Sequence, residues 1–182
     1  MIYVVRHGQD EDNAKGILNG HRNSSLTAKG ISQARVAAKK LCSKKIDCIH
    51  VSPAIRARQT AEIIAELAGI DELMIEPDLI ERDFGILTGK SIDEIRKYSQ
   101  HVVRGDQIDY FLDGPGVETF PELMMRARRA LEAIERDCTN QKIVVVTHGA
   151  IGKMMEAVWY NWTWQKSLAS SFFDNAEIIE LK

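Results

Sequence analysis

The sequence predicts an α/β fold: a three-layer sandwich, with a mostly parallel central sheet and helices on both faces. Three observations predict it. Short runs of β-favouring residues alternate with helical apolar periodicity along the whole chain. Two of the runs, Ile2-Tyr3-Val4-Val5 and Ile143-Val144-Val145-Val146, are continuously apolar or aromatic, as strands covered on both faces require. Strand–helix alternation of this kind places strands side by side in parallel, joined by crossover helices.

The elements follow in order. Ile2 to Val5 is the first strand, and Gly8 allows a turn at its end. A glycine- and asparagine-rich loop covers about residues 8–26. Thr27 caps a helix reaching about residue 43, with Ile31, Ala34, Ala38 and Leu41 on one face. Asp47 to Val51 is a short strand. Ser52-Pro53 opens the next helix, serine as cap and proline at the first helical position. Its stripe is Ala57, Ala61, Ile64 and Ala68, and Gly69 ends it. Leu73 to Ile75 reads as an edge strand. Residues 76–118 are irregular, with at most short helices near 91–98 and 106–112. So long a connection is expected to be functional, a lid or a wall beside a substrate. A long helix from about Thr119 to Cys138 carries Phe120, Met124, Ala127, Leu131, Ile134 and Cys138 on its stripe. A further helix starts near Ala150, and Ala176 to Leu181 closes as a strand.

Composition bounds the function. A chain of 182 residues suffices for one domain with a full core, and no linker or repeat divides it. With 45% hydrophobic and 27% charged residues it matches ordinary globular proteins. A net charge of −2 leaves no electrostatic footprint for nucleic acid or an anionic membrane, so neither partner is expected. No apolar run approaches the roughly 20 residues that span a bilayer. The chain starts inside a strand rather than a leader, so a cytoplasmic location is expected. Cys42, Cys48 and Cys138 form no CxxC pair. Cys42 and Cys138 fall on apolar stripes, and the cysteines are expected as small core residues, neither disulfides nor ligands. No cofactor is expected.

The chemistry lies at strand ends, where ligands bind in α/β proteins. Arg6-His7-Gly8-Gln9 follows the first strand directly. A guanidinium holds an anion with a planar fork of donors, and a neutral imidazole nitrogen is a nucleophile. Thr147-His148-Gly149 repeats the arrangement at the end of the second apolar strand, next to a helix start that can seat an anion. Arg56 stands in the first turn of the helix after Ser52, and Glu81 in Leu79-Ile80-Glu81-Arg82-Asp83-Phe84-Gly85. Asp78 and Asp83 are acidic competitors of Glu81. His21, His50 and His101 fall outside these motifs and read as structural or solvated. No HxH or HxxxH pair exists, and arginines beside a metal would oppose the cation, so no metal is expected at the histidines.

In order and spacing these motifs resemble the histidine phosphatase superfamily, also called phosphoglycerate-mutase-like, and the resemblance covers essentially the whole chain. It rests on Arg6-His7-Gly8-Gln9 with Asn13 and Gly16, and on Gly20, Leu26, Thr27 and Gly30. Further matches are Ser52, Arg56, Gln59, Thr60 and Ala61, then Glu81, Phe84 and Gly85. Gly116, Glu118 and Thr119, then Thr147-His148-Gly149, complete it. The resemblance implies a metal-independent phosphatase acting on a small phosphate ester. His7 would form a phosphohistidine, and Arg6, Arg56 and His148 would clamp the phosphoryl oxygens. Asn13, Asn19, Gly20 and Gly149 would complete the phosphate site, with His148 protonated. Glu81 would protonate the leaving oxygen and then help activate water. A mutase must keep the phosphohistidine from water and generally has a longer chain, which favours hydrolysis. Phosphoglycerate mutase-type transfer is the alternative, and a phospho-ligand binder without turnover is the second.

Two features depart from this pattern or stand outside it. Many members carry threonine or serine where this chain has Asp10, in the run Asp10-Glu11-Asp12. Two of the three carboxylates are expected in solvent. Asp10 could weaken anion binding, favour a cationic substrate, pair with Arg6, or cap the loop. The aromatic stretch from Trp159 to Trp164 fills core at a helix end or offers a pocket wall or homodimer surface.

Overall fold

The computed structural model describes the chain except residues 96, 100, 106–108 and 139. Its elements are β1 (Ile2–Arg6), α1 (Glu11–Ala14), α2 (Ala28–Cys42), β2 (Cys48–Val51), α3 (Ile55–Ala68) and β3 (Leu73–Ile75). There follow α4 (Ile92–Ile95), β4 (Val102–Arg104), β5 (Asp109–Phe111), α5 (Phe120–Asp137), β6 (Ile143–Thr147), α6 (Gly149–Trp159), α7 (Trp164–Ala169) and β7 (Ile178–Leu181). The main sheet runs β3-β2-β6-β1-β7. Its first four strands are parallel and β7 pairs antiparallel with β1, so the sheet is mixed.

Side chains alternate across the strands and divide the core into two layers. Ile2, Val4, Ile143 and Val145 face α5 and α6. Tyr3, Val5, Ile49, Val51, Val144 and Val146 face α2 and α3. Because β1 and β6 lie centrally, their C-terminal ends open between the helical layers. A smaller cluster of Leu87, Ile95 and Phe111 gives the 76–118 segment its own apolar centre.

Most expected elements form, and the differences have local causes. The loop after β1 contains α1, whose N-cap is Asp10; its carboxylate accepts from Asn13 N at 2.7 Å. Ser52 does not cap α3: the helix starts at Ile55 with Ala54 as an extended N-cap, because Ser52 Oγ lies 2.7 Å from His148 Nε2. Ile31 is exposed, since α2 turns Gly30, Ala34, Ala37, Ala38 and Leu41 inward instead. On α5, Leu123 and Ala130 are buried and Met124 only partly so. Cys42 is exposed, donating to Leu67 O at 3.3 Å, whereas Cys48 and Cys138 are buried. No helix forms at 109–111: these residues pair with β4 as a hairpin, and the remainder, 106–108, lies outside the described residues. The aromatic stretch divides. Trp164 stacks on Phe120 at 5.4 Å, while Tyr160 and Trp162 stack on each other nearer the surface. No helix among the described residues is long and apolar enough to cross a membrane.

Gly8 is not in the left-handed region, so it serves close packing rather than a turn. A Cβ on Gly8 would lie 2.4 Å from Gly30 O, and one on Gly30 would lie 2.0 Å from Gln9 O. The start of α2 is therefore seated on the backbone that follows β1. Gly30→Ala is expected to lower the urea-unfolding free energy by about 2–3 kcal/mol, the range for forced overpacking. Val36→Ala on the exposed face of the same helix should change it by under about 0.5 kcal/mol.

Candidate active site

Pairing of β1 with β6 sets Arg6 opposite Thr147, and His7 N donates to Thr147 O at 2.9 Å. The next residues along, His7 and His148, thus leave adjacent strands together. Their rings meet edge to face with centroids 5.1 Å apart, and both are buried. His7 Nδ1 lies 2.7 Å from Gly8 O. A carbonyl only accepts, so the ring proton sits on Nδ1 and Nε2 presents its lone pair. Arg56 Nε donates to that lone pair at 3.2 Å. Burial, then the charges of Arg56 and Arg6, hold His7 well below the ordinary imidazole range, so the ring is neutral.

His148 corrects an expectation. Burial, then the charges of Arg56 and Arg6, push its pKa well down, so it too is neutral, not the cation expected from sequence. Ser52 Oγ accepts from Ala54 N at 3.3 Å and lies 2.7 Å from His148 Nε2. A hydroxyl proton given to Nε2 puts the ring proton on Nδ1, whereas a ring proton on Nε2 leaves Nδ1 as an acceptor. Among the described residues, His148 Nδ1 and Arg6 Nε are the buried side-chain nitrogens without a hydrogen-bond partner.

The two arginines differ. Arg6 Nη1 donates to Phe173 O at 2.6 Å, and its guanidinium lies 5.2 Å from the Phe172 ring centre. Arg56 is 1% exposed and is consumed by the loop after β1. It donates to Asn19 Oδ1 at 3.0 Å, Arg22 O at 2.9 Å and Gly20 O at 2.8 Å. Asp10 pairs with Arg56 at 3.2 Å rather than with Arg6, and also accepts from Asn19 Nδ2 at 2.9 Å. Of the acidic run only Glu11 faces solvent, since Asp12 is buried against Arg22 at 2.8 Å.

Glu81 is brought to the same place by Arg126, whose guanidinium binds Asp78 O, Ile80 O and Glu81 O. The Glu81 carboxylate accepts from Arg82 N at 2.8 Å and from Ala150 N and Ile151 N at 3.3 Å each. The group seated at the start of α6 is thus the Glu81 carboxyl itself. Gly149 leaves room there: a Cβ would lie 3.7 Å from Arg6 and 3.8 Å from Glu81 Oε2. Of the competing carboxylates, Asp78 pairs with Arg129 at 3.2 Å and Asp83 accepts from Gly85 N at 2.8 Å.

A cavity of about 660 Å³ opens over these groups, lined by Arg6, His7, Asn13, Asn19, Gly20, Arg56, Glu81 and Gly149. Its outer wall adds Phe84, Arg104, Tyr110, Lys153 and Phe172. Asn175 Nδ2 donates to both His7 O and Asn13 Oδ1 at 3.1 Å, holding the loop after β1 from the C-terminal side. Sequence reasoning missed Asn175, Lys153 and Phe172, which belong to no spaced motif. Among the described residues, the cluster with metal-ligand geometry is Cys48, His50 and Cys138, which is not part of the cavity lining.

The model of the histidine phosphatase superfamily, branch 1, matches residues 2–182. The chain belongs to this superfamily. A "Probable phosphoglycerate mutase GpmB" of Serratia proteamaculans is 36% identical over 161 residues, covering 87% of this chain and 74% of that protein. A "Putative phosphoserine phosphatase 2" of Hydrogenobacter thermophilus is 32% identical over 187 residues, covering 99% and 88%. Among solved structures, a phosphoserine phosphatase of Entamoeba histolytica in complex with 3-phosphoglyceric acid superposes with a TM-score of 0.78. It is 26% identical, with 97% of this chain and 87% of that chain covered.

Two measurements check the electrostatics of this histidine phosphatase site. Neutral His7 and His148 bind no proton in the folded state, while the unfolded chain takes up protons below about pH 6.5. Stability should therefore fall as pH drops below that value, by up to about 1.4 kcal/mol per pH unit for each ring. His148→Gln should show a shallower loss than wild type between pH 6.5 and 5; equal slopes would refute the neutral assignment. Asp10→Asn keeps a helix cap but strips Arg56 of its carboxylate. It should lower stability by about 3 kcal/mol in urea, against under about 0.5 kcal/mol for Glu11→Gln.

Proposed function

We propose that this chain hydrolyses phosphomonoesters of small metabolites through a phosphohistidine on His7, with no metal in the catalytic step. The observation that carries this reading is the neutral, buried His7 ring, whose Nδ1–H is fixed by Gly8 O so that Nε2 keeps its lone pair. In the first step Nε2 attacks phosphorus and the bond to the ester oxygen breaks. The leaving oxygen takes a proton from Glu81. In the second step water attacks phosphorus, gives a proton to Glu81, and the P–N bond breaks to release inorganic phosphate and neutral His7. Charge on the equatorial oxygens is met by Arg6, Arg56 and the Nδ1–H of His148, with Asn13 beside them.

Residues 1–182 serve in this reading as a single domain, and the 76–118 segment as its substrate wall. The cavity lining supports the second point, since Arg82, Phe84, Arg104 and Tyr110 all come from that segment. Lys153 Nζ is held by Glu156, Ser170 Oγ and Ser171 O, so it is the wall of aromatic rings with the exposed Arg104 that suits a small organic phosphate carrying a further anionic group. The likeness to a named phosphoglycerate mutase favours a second reading, phosphoryl transfer between positions of a phosphorylated acid.

His7→Ala should abolish both turnover of an aryl phosphate and acid-labile labelling of the protein by phosphate. Arg6→Ala should lower kcat/KM by about 10²–10³, the scale for one preorganised donor. EDTA should leave turnover of the wild type intact. Near-normal activity of His7→Ala would overturn the assignment. Isomerised phosphoglycerate exceeding released phosphate would favour the mutase reading.

A further inference from the structure

Away from the active-site cavity, β2 and the end of α5 bring together three groups that the phosphatase reading does not use. Cys48 and His50 are two residues apart on β2 and so face the same side of the sheet. Cys138 is the C-cap of α5. Cys48 Sγ and His50 Nε2 each lie 3.2 Å from Cys138 Sγ, and all three side chains are buried. We propose that Cys48, His50 and Cys138 form a binding site for one zinc ion.

Two further observations support a ligand set rather than a set of core residues. His50 Nδ1 lies 3.0 Å from Glu76 Oε1. The carboxylate accepts the ring proton, so the Nε2 lone pair is turned toward the two sulfurs, the outer-shell arrangement that orients metal-binding histidines. Gln141 Oε1 lies 3.5 Å from Cys48 Sγ, an oxygen donor beside the three ligands. In a tetrahedral zinc site, with Zn–S near 2.3 Å, sulfurs lie about 3.8 Å apart, so the pair opens by roughly half an ångström. Charge balances on binding. One dication enters, two S–H protons leave to water, and zinc with two thiolates is neutral. Zinc would pin the start of β2 to the end of α5, two elements joined otherwise by apolar contacts. It acts on stability and takes no part in phosphoryl transfer.

The test uses reduced, EDTA-treated, full-length protein titrated with cobalt(II) as a spectroscopic substitute for zinc. Wild type should develop a thiolate-to-cobalt charge-transfer band that saturates at one equivalent and disappears when zinc is added. Zinc should raise the thermal midpoint by about 5 °C or more. Cys48→Ser, Cys138→Ser and His50→Gln should each lose the band, while Cys42→Ser, on the surface, keeps it. Glu76→Gln should weaken zinc binding about 10-fold or more. If reduced wild type gives no band, or Cys42→Ser removes it, the site is overturned however the other variants fold. The band and midpoint are read without substrate, so this outcome is independent of whether the chain is a phosphatase.

Discussion

A guanidinium taken out of water has five N–H groups to satisfy and a charge to balance, and Arg56 imposes that constraint on its whole neighbourhood. The residues from 8 to 26 contain little regular structure, yet they are shaped around this one group. Asn19, Gly20 and Arg22 each give it an oxygen, and Asp10 gives it a countercharge. Asp10 then caps α1 and binds Asn19, so charge balance and loop shape rest on the same carboxylate. The carbonyl of Arg56 accepts from Thr60 Oγ1 at 2.8 Å, and Thr60 accepts in turn from Gly8 N at 3.1 Å. Through these bonds the first turns of α3, the end of β1 and the following loop form one rigid unit. His7 inherits its orientation from that unit.

Glu81 poses a related problem on the other side of the cavity, since it sits in an irregular segment and needs a rigid support. Two arginines provide it by binding backbone rather than charge alone. Arg126 gathers Asp78 O, Ile80 O and Glu81 O, and Glu118 balances it at 2.7 Å. Arg82 is 1% exposed, lies 4.1 Å from the Phe120 ring centre and donates to Glu118 O and Phe111 O. Its burial lowers its pKa to about 10, which still leaves it charged at neutral pH. The 76–118 segment is therefore anchored to the start of α5 at the point where it presents Glu81.

The parts of this molecule legible in the sequence are those with long periodic patterns or fixed spacings. Apolar runs located β1 and β6, helical stripes located α2, α3 and α5, and motif spacing assembled His7, Arg56, Glu81 and His148. What escaped has a physical reason. Four residues of α1 and six of α7 are too short for a period to register, and both rest on caps and tertiary contacts. The β4–β5 hairpin has three residues per strand, and Asp109-Tyr110-Phe111 follows directly on the undescribed stretch. Asp10 stands apart from the acidic run in the sequence, with a loop cap among its expected roles, but its pairing is with Arg56, a residue 46 positions away, rather than with its neighbour Arg6, and Asp12 is buried against Arg22. The Cys48–His50 spacing did carry a period-two signal, but Cys138 joins it only through packing of α5 on the sheet.

The electrostatics of the cavity argue that its two arginines do different work. Arg56 has its donors committed to protein oxygens and to His7, so it acts by orientation and by its field. Arg6 retains an unpaired Nε in a buried position, as His148 does an unpaired Nδ1. Buried polar nitrogens without partners are unfavourable by themselves, on the order of 1–3 kcal/mol each. In the phosphatase reading proposed above, a phosphate oxygen would supply the acceptor that Arg6 Nε lacks and answer its charge. Keeping His148 neutral also spares His7 a third positive neighbour. With Arg6 and Arg56 already close, another cation would withdraw more electron density from the Nε2 lone pair, which already accepts a hydrogen bond from Arg56 Nε. In the proposed reading, the neutrality of both rings and the separation of roles between the arginines are thus one arrangement: positive charge to hold a phosphoryl group, with His7 Nε2 left unprotonated as the nucleophile.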